Sequence, residues 1–74
     1  MQESRQVRRA KLTHDVRRQR ELLWVMNIAV DKAPLAMKER LATRIQKAEE
    51  ELRKMENELH ELNVQQIHEE LSSG

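Results

Sequence analysis

In the second half of the chain, apolar side chains recur at alternating intervals of four and three residues. Leu41, Ile45, Ala48, Leu52, Met55, Leu59 and Leu62 form this series. It is the heptad seam of a helix that packs lengthwise against another helix. The positions between are mostly charged, including Lys47, Glu49, Glu50, Glu51, Arg53, Lys54, Glu56 and Glu58. The first half carries a weaker seam of the same kind: Leu12, Val16, Gln19, Leu23, Met26 and Val30. Gln19 is a polar residue in that seam. Either it fixes the pairing register at some expense of stability, or it lies at the seam's edge with its amide in water.

One strong break separates the two patterns, Asp31-Lys32-Ala33-Pro34. Asp31 is a candidate N-cap, and Pro34 suits a first helical turn, where its missing N–H matters little. Ala33, preceding proline, is biased away from helical geometry. The pattern predicts a helix over 4–30, a turn over 31–34 and a helix over 35–71, with a frayed tail at Ser72, Ser73 and Gly74. A single kinked helix is the competing reading.

Charge favours the hairpin. Residues 1–30 hold seven basic and three acidic side chains, net +4, and residues 49–74 hold eight acidic and two basic, net −6. Folding back at the break sets the basic arm beside Glu49, Glu50, Glu51, Glu56 and Glu58, roughly Ile45 to His60. Each exposed pair contributes only about 0.3–0.5 kcal/mol, but a parallel in-register pair of long helices would align like charges throughout. The expected fold is therefore all-α: an antiparallel two-helix coiled-coil hairpin. Its intrachain seam is Leu12, Val16 and Leu23 against Leu41, Ile45, Ala48, Leu52, Met55 and Leu59.

Two stretches exceed what a lone hairpin covers. Residues 22–30 are apolar at every position except Asn27, and a helix apolar around its whole circumference is normally buried in a larger core. Leu35, Ala36, Met37 and Leu41 add apolar surface across the turn. A buried strand would also suit Val, Ile and Trp, but no second strand is available to pair with it. Beyond His60 the shorter first helix is expected to run out, which leaves Leu62, Val64, Ile67 and Leu71 on a shifted stripe. The expected association surface is thus Leu22, Trp24, Val25, Met26, Ile28 and Leu35 at the loop end, with Leu62, Val64, Ile67 and Leu71 at the far end. Its most economical use is homodimerisation of two hairpins into a four-helix bundle around Trp24. A helix of a partner protein, or the rest of a longer parent chain, is the alternative cover.

Composition narrows the rest. The chain has 74 residues, 36% charged and 38% hydrophobic, with one aromatic, one glycine, one proline and no cysteine. So short a chain buries only about 60% of the surface its unfolded form exposes, and the few turn residues exclude a β sandwich or barrel. High charge and low hydropathy also suit disorder, but the net charge is only +1 and the apolar residues are periodic. Without cysteine there is no disulfide framework and no thiolate metal site, which fits an intracellular protein. The longest apolar stretch is far short of the roughly 20 residues of a membrane span.

No catalytic constellation emerges. The carboxylates sit in charged runs with no cleft to separate their acidities, and no glycine-rich phosphate loop exists. His60 and His68 stand eight residues apart, about 12 Å along a helix, too far for one metal. His60-Glu61 lacks the second histidine, four residues on, that a zinc-protease helix carries. We expect no enzyme activity, no cofactor and no small-molecule substrate.

Nucleic acid is the rival partner, since Arg5, Arg8, Arg9, Lys11, Arg17, Arg18 and Arg20 are dense enough to contact phosphates. The basic-region pattern of leucine-zipper proteins is absent, because no asparagine lies within 5–20. A third reading is a calmodulin-type target helix, a basic cluster followed by Trp24 as anchor. The expected function is a protein–protein interaction or oligomerisation module.

Overall fold

The structure, a computed structural model, describes residues 4–73. Two helices make it up: α1, Arg5–Lys32, of 28 residues, and α2, Leu35–Ser73, of 39 residues. They pack side by side as an all-α antiparallel hairpin. Its long dimension of 58 Å is the length of α2 alone, at 1.5 Å per residue.

Local chemistry sets the helix ends. Ser4 is extended and its Oγ accepts the Val7 N–H at 3.2 Å, satisfying one of the donors that a helix start leaves orphaned. At the other end Ala33 is extended, with φ −77° and ψ 149°, because the ring of Pro34 disfavours helical geometry in the residue before it. The Asp31 cap expected from the sequence does not form. Asp31 lies inside α1, which continues to Lys32 and ends with the Ala33 N–H on the Val30 carbonyl at 3.3 Å. The Pro34 carbonyl opens α2 instead, accepting from Met37 and Lys38 at 2.9 and 3.1 Å. The turn is therefore two residues rather than four. The expected frayed tail is also corrected: α2 includes Ser72 and Ser73, the latter donating through Oγ to the Glu70 carbonyl at 3.3 Å. Gly74 lies outside the described residues.

The two heptad series meet along a single stripe. Leu12, Val16 and Leu23 of α1 and Ala48 of α2 are buried, at 5–7% exposure. Met26 and Val30, with Leu41, Ile45, Leu52, Met55, Leu59 and Leu62, are half-buried around them. Ala48 is the smallest side chain in the seam and lets the backbones approach. Gln19 exploits this by donating Nε2–H to the Ala48 carbonyl at 3.0 Å. Of its two expected roles, Gln19 takes the interhelical one. Nothing among the described residues is sealed completely from water; the core is one stripe thick.

The register departs from expectation at the open end. The seam does not shift after Leu62 but continues to a half-buried Gln66, while Val64, Ile67 and Leu71 face outward. As expected, α1 runs out close to His60, with Arg5 level with about residue 62 of α2, though the Arg5 side chain reaches on to ion-pair with Glu69. Glu69 lies about two turns further along α2, a gap that the two long side chains span.

Candidate association surface

Ion pairs flank the seam and fix its direction. Arg8 donates to Glu58, through Nε at 2.7 Å, and Arg20 bonds Glu56 at 2.6 Å. Glu56 and Glu58 are as expected; Glu69 is an addition that the sequence reading missed. Every side chain in these three pairs is more than a third exposed, so the pairs direct the packing more than they stabilise it.

This pairing changes the basic arm. Arg5, Arg8 and Arg20 are committed to carboxylates of α2, Lys11 is also engaged, and Arg9 is half-buried at a seam position. Only Arg17 and Arg18 of the seven phosphate candidates stand exposed with no ion pair among the described residues. The seven do not form one open strip along a backbone of phosphates.

The apolar candidates separate by face. Met26 and Leu62, which spacing put in the seams and which were also offered as association residues, are half-buried at seam positions, completing the heptad on each helix. Leu22, Trp24, Val25 and Ile28 are exposed. At 100° per residue, Trp24, Val25 and Ile28 fall one, two and five steps past the buried Leu23, on the flank and back of α1. Trp24 is 67% exposed and Leu35, across the turn, 82%; Met37 is exposed beside them in sequence. Asn27, the one polar residue of this stretch, donates its amide to the Leu23 carbonyl one turn back, at 2.8 Å. That bond spends the donor on the helix's own backbone, so it interrupts the apolar surface less than its chemistry suggests. Val64, Ile67 and the 78%-exposed Leu71 form a second outward stripe at the far end.

Total accessible area measures the shortfall. The chain exposes 6443 Å², whereas a free-standing globule of its 8.8 kDa exposes about 4,800 Å². The surplus is on the order of 1,600 Å², against about 800 Å² that each partner buries in a standard interface.

His14, His60 and His68 are exposed, and among the described residues no group of His, Cys, Asp or Glu is placed to hold a metal ion. None of the described helices is long and apolar enough to cross a membrane. Comparison with protein-family models, with curated proteins and with solved structures gives no match to this chain.

Proposed function

We propose that this chain is a non-enzymatic oligomerisation and protein–protein interaction module. Its coiled-coil seam forms the hairpin, and its apolar outer face holds the assembly. The observation that carries the reading is the exposure of large apolar side chains gathered at the loop end of α1. The only tryptophan is two-thirds exposed, in a cluster of large aliphatics on the side of α1 that the hairpin cannot reach. Monomeric proteins rarely leave a contiguous apolar patch of this kind uncovered, and such patches mark contact surfaces. Self-association is the economical form, because one sequence then supplies both halves of the contact; a helix of another protein is the alternative. We place the module inside the cell, on its lack of cysteine.

Sedimentation of the full chain across concentration, at low and high salt, tests this. The expected mass is above that of one chain and persists in high salt, as burial-driven association does. Trp24→Glu should return the mass to one chain with helicity retained. Single chains at every concentration, or an assembly indifferent to Trp24→Glu, would refute the reading.

A further inference from the structure

We infer that the groove between α1 and α2 on the side away from Trp24, towards the loop end, binds an acidic amphipathic helix of a partner protein. This site is separate from the Trp24 face, so it stands whether or not the chain self-associates. One wall is a row of cations on α2. Arg40, Arg44 and Lys47 follow at intervals of four and three, on one stripe of the helix about 10 Å long. All three are exposed, and none is ion-paired among the described residues. Arg40 and Arg44, with Met37 and Leu41, line a hollow. Glu51 and Met55, further along the same stripe, line a second hollow with Asp15, Arg18, Gln19 and Leu22 of α1. The cation row and Leu22 therefore open onto one side of the hairpin. The facing wall on α1 continues from Leu22 to Val25 and Ala29, at intervals of three and four, and all three are exposed.

The hairpin leaves these cations without counter-charges. The bond from Gln19 to the Ala48 carbonyl sets the register, so Arg40 to Lys47 stand level with about residues 20–27 of α1. The one carboxylate in that span, Glu21, lines a hollow on the opposite side with Thr13, Arg17 and Arg20. On α2 itself, Arg40 and Arg44 have no acid three or four residues away; at that spacing they meet each other and, for Arg44, Lys47. Like charges so placed repel. Lys47 has Glu50 and Glu51 one turn on, which closes the row. A groove with one apolar wall and one cationic wall matches a helix that carries an apolar stripe and carboxylates along one flank. Phosphates match it worse, because Leu22, Val25 and Ala29 would strip water from them without pairing them. A bilayer surface on this side would leave Trp24 and Ile28 in water, since they follow Arg17 and Glu21 by seven residues on the opposite side. A second copy does not supply the carboxylates. Its outward stripe of Val64, Ile67 and Leu71 has Glu61, Gln65, His68 and Ser72 along one flank and Asn63, Gln66 and Glu70 along the other, one acid on each.

Binding of a fluorescein-labelled synthetic helix to the full chain, read by anisotropy, tests this. The probe carries leucines at intervals of three and four and glutamates at i, i+4 and i+7 along one flank; its control has glutamines in their place. The glutamate peptide should bind about tenfold more tightly at low salt, from a few exposed charge pairs acting together, and high salt should narrow the difference. Arg40→Glu with Arg44→Glu should abolish the difference, and a lysine-for-glutamate peptide should bind that variant, which shows it to be folded. Leu22→Ser should weaken both peptides, whereas Trp24→Glu should leave the glutamate peptide bound as before. Equal binding of the two peptides, no effect of the double substitution, or tighter uptake of a DNA duplex or of phosphatidylserine vesicles at the same salt overturns the inference. So does a fall in the mass of the free chain on Arg40→Glu with Arg44→Glu, which would make the groove a contact between copies. Failure here leaves the Trp24 reading standing, and single chains in sedimentation leave this one standing.

Discussion

Leu23→Ala probes whether the single stripe between α1 and α2 holds the fold. Leu23 is 7% exposed, so the substitution removes close to three fully buried methylene equivalents. At about 0.8 kcal/mol each, the transfer loss is about 2.2 kcal/mol. The cavity contribution is small, because the seam borders open solvent and the helices can settle into the gap; the sum belongs near 2–3 kcal/mol, the low end for buried leucines. A core in a chain this short supplies only about 3–5 kcal/mol in total, so the substitution should take away half of it or more. Urea unfolding followed by far-UV circular dichroism reads the change as a lowered midpoint. Leu71→Ala is the control: the same residue pair on the same kind of helix, but 78% exposed, with an expected effect under about 0.5 kcal/mol. Equal effects at Leu23 and Leu71 would show that burial in the seam does not hold the fold.

Gln19→Leu should raise the unfolding free energy by about 1 kcal/mol, read as a higher urea midpoint, since it trades one hydrogen bond to the Ala48 carbonyl for apolar burial in the seam; a lowered midpoint would show that the Gln19 bond contributes more than burial. Arg20→Ala should cost less than about 1 kcal/mol, and high salt should leave helicity nearly unchanged, because the Arg20–Glu56 pair is water-exposed on both sides; a collapse of helicity in salt would contradict a burial-driven hairpin.

The heptad spacing made the hairpin legible, because apolar residues at intervals of four and three have only one helical face on which to meet a partner. Leu12, Val16, Leu23 and Ala48 lie on that face. Three features were not legible for physical reasons. Gln66 is polar, so its place in the seam is set by register and not by its own chemistry. Asp31 has the chemistry of a cap, yet the steric demand of Pro34 falls one residue away, on Ala33, and moves the boundary past it. Glu69 becomes a partner of Arg5 only through the reach of two long side chains across about two turns of α2, which spacing alone does not reveal. In the association surface, composition pointed to the loop end, and the heptad spacing already set Met26 on the side of α2 and Trp24 and Val25 away from it.

The link between the helices has a topological consequence. One residue in extended geometry is all that keeps α1 and α2 from merging into a straight rod, and a rod would offer its half-seams to a neighbouring rod by exchange of arms. Tethering normally defeats that exchange, since a short connector holds the arms at an effective concentration on the millimolar scale. The proline ring thus acts as a latch on the chain's topology: its steric veto over Ala33 decides whether the stripe is satisfied within one molecule or shared between two.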